Sequence, residues 1–308
     1  NMSEPGLLHS VPGGVTALDS NGDEMTDRIY FGDTGGNLWR VDLSGSTLPT
    51  SSQNTWQITK LADVNNGTVA ADRRFFSAPD VVRIRLGGVA VDAVMIGTGD
   101  RTNPNAIDVE NHMYMIKDLA VSTYTTERPN SSACALEETV DFRCSLPLSV
   151  SDFYDITDNA IVDGTDEEKT VAINALNSAH GWRFEFTNNG EKSLAKTVTI
   201  NGKVYVPTFT PASLYNDINS CEPQSGTGQM YVFDLYSGDR NVINLGSIIP
   251  NAVSLHFSED GAIHVLLPPG APASSIGHPS TIECAGGVCD INESMRAPYG
   301  NFWYQEEY

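Results

Sequence analysis

Nine residues near the start of the chain, Asp19-Ser20-Asn21-Gly22-Asp23-Glu24-Met25-Thr26-Asp27, have the types and spacing that could do chemistry. Oxygen-bearing side chains fall at positions 1, 3, 5 and 9 of this run, and position 7 can offer its backbone carbonyl. Calcium takes roughly six to eight hard oxygen ligands, and odd-numbered spacing folds such ligands inward around one ion. Close carboxylates repel one another unless a cation lies between them. The pattern therefore predicts a Ca2+ site built from Asp19, Asn21, Asp23 and Asp27, with Met25 contributing its carbonyl. Gly22 permits the tight turn. Two positions depart from an EF-hand: the sixth is Glu24 instead of glycine, and the twelfth is Tyr30 instead of a bidentate glutamate. The residues that follow, Ile29-Tyr30-Phe31, are strand-forming, so the expectation is an EF-hand-like loop feeding a strand. The same residues could also form an acidic β-turn facing water.

No other constellation reads as strongly. Asp152, Asp155, Asp158, Asp163 and Asp166 fit no compact loop and read as a solvated surface leading into a helix. Asp100 and Arg101 follow Gly97-Thr98-Gly99, a turn between strands that lacks the phosphate-binding GxxxxGK[ST] pattern. Neither G-x-S-x-G nor H-E-x-x-H occurs, and the six histidines are scattered away from metal-ligand spacing. No catalytic residue and no organic cofactor site is expected. Five cysteines lack the paired C-x2-C spacing of zinc sites. Cys134–Cys144 and Cys284–Cys289 suit local disulfides of an exported protein, with unpaired loop thiols as the other reading; Cys221 has no assigned partner.

The elements that must hold these residues are mostly strands. β-branched and aromatic runs bounded by Gly, Asn, Asp and Pro recur at Arg28–Phe31, Asn37–Leu43, Val89–Ile96, His112–Ile116, Lys203–Val206, Met230–Leu235 and Ala262–Leu267. A weak repeat joins them. Each unit is an apolar strand, a Gly/Thr/Asp turn or insertion, and an aromatic-bearing strand closing at Asp42, Asp118 or Asp234. Repeated hairpins of one design predict propeller blades, with an ordinary β-sandwich as the alternative. One helix is expected over Asp166–Ser178, with Val171, Ala172, Ile173 and Leu176 as its apolar stripe behind an acidic first turn. Trp39, Trp182 and Trp303 read as packing residues. The fold class is all-β, a single domain over 1–308 or its C-terminal portion, with a loop-rich insertion at about 120–180 that holds the helix.

A formal charge of −21 excludes a general nucleic-acid binder, because so acidic a surface repels phosphate. With 40% hydrophobic and 19% charged residues, the composition is globular. No apolar run reaches the roughly 20 residues of a bilayer span. Nor does a cationic start with an apolar segment open the chain, as expected of a mature product or an excised fragment.

From the calcium loop onward the chain resembles the C-terminal β-propeller of the PilY1 family of type IV pilus proteins. The resemblance rests on DRIYFGDTGGNLWRVDL (Asp27–Leu43), SAPDVVR (Ser77–Arg83), VMIGTGDRTNP (Val94–Pro104), VENHMYMIKD (Val109–Asp118) and YDITDN (Tyr154–Asn159). It continues through HGWRFEF and NGEKSL (His180–Leu194), VYVPTFTP (Val204–Pro211) and CEPQSGTGQMYVFDLYSG (Cys221–Gly238). It implies a quinoprotein-like modified propeller, non-catalytic, exported through the periplasm and carried at the cell surface or pilus tip. In that family, calcium occupancy of the loop is linked to pilus extension and retraction and to surface attachment. The expected partners are minor pilins or a tip complex, and a host or abiotic surface. In relatives several blades precede the loop, so this chain is expected to be the C-terminal part of a longer domain or an unusually closed ring. Two other functions stay open: a quinone-dependent propeller dehydrogenase, and a generic calcium-stabilised extracellular binding propeller.

Overall fold

The computed structural model describes residues 6–20, 22–44, 56–124, 134–135, 141–212, 225–257, 263–266, 282–285 and 288–291. Cys221 and Trp303 lie outside them, as do the outer residues of the expected strand at Ala262–Leu267. The described chain is mostly β, with few helices, and its strands form four sheets. The first is an antiparallel meander of β1 (Thr16–Leu18), β2 (Arg28–Gly32), β3 (Asn37–Asp42) and β4 (Gln57–Asp63). The second orders β5 (Asp80–Leu86), β6 (Val89–Gly97), β7 (His112–Asp118), β9 (Gly181–Glu185) and β8 (Tyr154–Asp155), with β8 parallel to β9. The third runs β10 (Lys192–Ser193), β12 (Lys203–Thr210), β13 (Thr227–Asp234) and β14 (Arg240–Gly246), with β11 (Val198–Ile200) also on β12. The fourth orders β15 (Ser254–Phe257), β16 (Ile263–Leu266), β18 (Val288–Ile291) and β17 (Ile282–Ala285). No strand ladder joins one sheet to another among the described residues, so the four sheets stand separate.

Successive side chains of a strand point to opposite faces. In the second sheet that alternation divides the core in two. Val94, Ile96, Tyr114 and Ile116 face the first sheet, packing with Tyr30, Leu38 and Leu61. Ala93, Met95, Met113 and Met115 face the third, with Val204, Val206, Tyr231 and Phe233. This is why β7 is buried at all seven positions. Trp182 is fully buried in the second of these cores, its Nε1 donating to Leu235 O at 2.9 Å. Trp39 is buried too, and its Nε1 donates to Asp33 at 2.8 Å. Asp33 also accepts from the Gly35 and Asn37 amides, which closes the Asp33–Asn37 turn with Gly36 at φ 76°.

The helix over Asp166–Ser178 forms at its expected bounds, started by a capping box between Thr165 and Glu168. Its apolar stripe is narrower than expected. Ala172 and Leu176, one turn apart, are buried, whereas Val171 is 68% and Ile173 44% exposed. A residue adjacent to Ala172 lies about 100° around the helix and leaves the core face. This helix is α2, because a one-turn helix precedes it: α1 (Ala160–Asp163), capped by the Asn159 side chain. So brief an element has no periodicity to betray it. The insertion is also less loop-like than expected. Leu146, Leu148 and Phe153 fill the core between the first two sheets, Ile156 and Leu176 fill the next, and β8 extends the second sheet.

Gly181 opens β9 at φ 135°, and a Cβ there would meet Met115 O at 1.9 Å. Gly181→Ala should therefore cost about 3 kcal/mol or more in chemical denaturation. Gly246→Ala, also at positive φ but with nothing within 4 Å, should cost about 1 kcal/mol.

Candidate metal loop and the buried charge network beside it

The 19–27 loop joins β1 to β2. Asp19 accepts from the Gly22 amide at 2.6 Å and the Glu24 amide at 2.8 Å, and Asp23 accepts from the Met25 amide at 3.0 Å. Asp27 accepts from Ser20, from its amide at 2.7 Å and its hydroxyl at 2.5 Å. Asn21 lies outside the described residues. The backbone takes left-handed turns at Gly22, φ 82°, and at Glu24, φ 68°. Glu24 thus adopts the conformation that the glycine of an EF-hand would supply, which accounts for the departure at the sixth position. The loop is tied at its base, where the Asp27 amide donates to Leu18 O and Asp27 O accepts from the Leu43 amide. Among the described residues, no three Asp, Glu, His or Cys side chains stand together as a metal site. The donor chemistry still fits a hard dication: three short carboxylates and a carbonyl, all oxygen, on a backbone already bent at two positions.

Directly beneath the loop lies a network that the sequence reading missed. Arg28, Arg40, Asp42, Asp92 and Asp118 are all fully buried between the first two sheets. Arg28 pairs with Asp92. Arg40 pairs with Asp42 at 2.6 Å and Asp118 at 2.7 Å, and Arg83 reaches Asp92 at 2.8 Å from the rim. Three guanidinium groups meet three carboxylates, so the network is charge-balanced. Burial works against the Arg40 charge, but Asp118, Tyr30 and Asp42 outweigh it and hold the group ionised above its ordinary range. Burial, reinforced by Asp118, pushes the Tyr30 phenol well up; it stays neutral and donates to Asp118 at 2.8 Å. The signal was present in alternation: Arg28 and Tyr30 share one face of β2, and Arg40 and Asp42 share the same face of β3, opposite them in register. Two of the aspartates that close the repeated hairpins, Asp42 and Asp118, meet here. The third, Asp234, instead caps a turn through Tyr236 and Ser237 and pairs with Lys203 at 3.1 Å.

Of the sequence-predicted disulfides, Cys134–Cys144 forms, with Cα atoms 5.6 Å apart. Cys284 and Cys289 face each other in register across β17 and β18, and their side chains lie outside the described set. Asp100 pairs with Arg74, and Arg101 donates to Leu194 O, so this Gly-rich turn holds its own charges.

No family profile matches the chain. A curated relative, the type IV pilus biogenesis factor PilY1 homolog of Xylella fastidiosa, is 25% identical over 250 residues. That alignment covers 77% of this chain and 15% of the relative. The crystal structure of the Pseudomonas aeruginosa PilY1 C-terminal domain superposes with a TM-score of 0.53 at 16% identity, over 90% of this chain and 59% of that one. The chain is thus similar in sequence to a PilY1 homolog and in fold to the PilY1 C-terminal domain. It therefore spans a small part of the curated relative and somewhat over half of the solved PilY1 domain. A Synechocystis apocarotenoid oxygenase covers 80% of the chain at a TM-score of 0.24, too low to indicate a shared fold.

Removing one partner from a buried ion pair strands the others without compensation. Arg40→Met should cost about 3–5 kcal/mol in urea denaturation. His112, buried in β7 with Nδ1 2.7 Å from the Tyr114 hydroxyl, is pushed down to about 2 by burial, with Arg73 and Arg183 adding to the effect. Above its ordinary value of 6.5, folded and unfolded chains both hold it neutral; between about 2 and 6.5 the unfolded chain takes a proton that the folded chain refuses. Its contribution therefore falls by about 1.4 kcal/mol for each pH unit lost below that range's upper end. Denaturation midpoints from pH 7 to pH 4 should fall less steeply in His112→Gln than in the parent.

Proposed function

We propose that this chain is a calcium-binding, non-catalytic module of a type IV pilus assembly and adhesion protein. Ca2+ occupancy of the EF-hand-like loop would regulate pilus extension and retraction and surface attachment. The pilus role is supported by the names of the matched relatives, one a biogenesis factor. The calcium role is supported by one observation above the rest: oxygen donors at alternate positions on a loop whose two left-handed turns and tied base pre-shape it for an ion. Asp19, Asn21, Asp23 and Asp27 would hold calcium through their side chains and Met25 through its carbonyl. Bound there, the ion would neutralise the clustered carboxylates. The chain's own part is to release Asp19 and Asp27 from the amides and hydroxyl they now accept from, so that loop order and ion binding rise together.

The separate, mostly antiparallel sheets, the second of them packed on both faces, support a quinoprotein-like propeller or its C-terminal part. The Cys134–Cys144 disulfide supports export through the periplasm to the cell surface or pilus tip. Among the described residues no helix is long and apolar enough to cross a membrane. Minor pilins or a tip complex are the partners this reading implies, together with a host or abiotic surface.

Isothermal titration with calcium chloride tests the site. The parent chain should bind one ion, and Asp27→Ala should lose affinity at least about 100-fold while keeping its circular dichroism spectrum. Unchanged affinity in that variant would remove Asp27 from the ligand set.

A further inference from the structure

We propose that Arg83 and Asp92 couple the 19–27 loop to the root of the insertion at 120–124 and 141–144, so that ordering the loop tightens that root. The coupling takes its trigger from the calcium reading above, but its wiring is a property of the chain. Arg83 is a two-handed side chain. Its Nη1 donates to the backbone carbonyl of Ser20 at 2.8 Å, and its Nε donates to Asp92 at 2.8 Å. It is 23% exposed, whereas Asp92, Arg28, Tyr30, Arg40, Asp42 and Asp118 are fully buried.

From Asp92 the contacts run inward to Arg28, which donates to the carbonyls of Ala120 at 3.3 Å and Val121 at 2.7 Å. Tyr30 accepts from Arg28 and donates to Asp118, which brings in Arg40. Arg40 donates to Ala120 O at 2.6 Å and Ser122 O at 2.8 Å, and Asp42 accepts from the Tyr124 amide at 3.0 Å. Four residues at the mouth of the insertion, Ala120, Val121, Ser122 and Tyr124, thus hang on buried charges. The far side of the insertion closes on the same place. The Tyr124 ring has the Arg40 guanidinium 4.2 Å from its centre and that of Arg143 at 4.6 Å. Arg143 pairs with Asp141 at 2.7 Å and precedes Cys144, which is bonded to Cys134.

At the other end of the path stands Ser20, held from both sides. Its carbonyl belongs to Arg83, and its amide and hydroxyl belong to Asp27. Any event that engages the Asp27 carboxylate elsewhere changes what fixes Ser20, and Arg83 is the element through which that change reaches the buried network. Charge-assisted contacts in a dry environment change together more readily than solvated ones.

Hydrogen–deuterium exchange on the whole chain, in calcium chloride and in chelator, tests this. In the parent, calcium should slow exchange both in the loop and at 120–124, each by roughly 2- to 30-fold, the range of ordinary coupling energies. Arg83→Met should keep calcium binding by titration and the slowing in the loop, yet lose the slowing at 120–124. Slowing confined to the loop in the parent would overturn the coupling and leave the calcium reading intact. If calcium neither binds nor slows the loop, the calcium reading fails. The metal-free comparison then decides: faster exchange at 120–124 in Arg83→Met than in the parent supports the wiring, and identical exchange overturns it. Arg83→Lys, which keeps the charge but cannot hold Ser20 and Asp92 at once, should behave like Arg83→Met, and serves if the methionine variant does not fold.

Discussion

Buried ions are costly to desolvate, and the three arginines and three aspartates between the first two sheets repay that cost through paired geometry. They sit where strands from two sheets and the start of the insertion converge, so neither sheet can shift along the other without breaking a charge contact. Apolar packing between sheets tolerates small slides, since one methyl contact replaces another. Guanidinium–carboxylate pairs do not, because their directions are fixed. The network thus gives the interface one register, and the apolar residues around Tyr114 and Ile116 supply the greater part of its cohesion.

Outward from that interface the molecule is organised by the second sheet, which serves two cores at once. Its β6 and β7 strands pack forward against the ion-bearing sheet and backward against the third, and the Ala120–His180 region returns to plug both seams. This insertion, which would be costly if it dangled, adds Leu146, Leu148 and Phe153 to one core and Ile156 and Leu176 to the other. The candidate metal loop gains a rigid floor from the same arrangement. It is held by side-chain-to-amide contacts and a tied base, and Arg83 joins it to the buried charge network.

Much of the frame was legible because strand residues announce themselves locally. Runs such as NLWRVDL and HMYMI placed β3 and β7 to within two residues, and the acidic first turn with its periodicity fixed α2. Which residues of α2 face inward was not, because Val171 and Ile173 are as apolar as Leu176 and only the neighbouring sheet decides between them. α1 was invisible at four residues. The loop's candidate ligands could be named from oxygen spacing alone. The charge network could not, although alternation put Arg28, Tyr30, Arg40 and Asp42 on one face, because its other half, Asp92 and Asp118, comes from strands more than fifty residues away. Ion pairs across sheets are tertiary facts; a strand pattern shows that a charge faces inward, not what meets it.

The dryness of the network also divides the molecule's response to its surroundings. Mobile ions screen charges that water reaches and leave sealed ones almost untouched. Between fresh and saline water, the acidic loop would feel the change in its counterion atmosphere, while the clamp a few ångströms below would hold its grip. The molecule's sensitivity to salt is thus confined to one edge, and the body that carries that edge is spared.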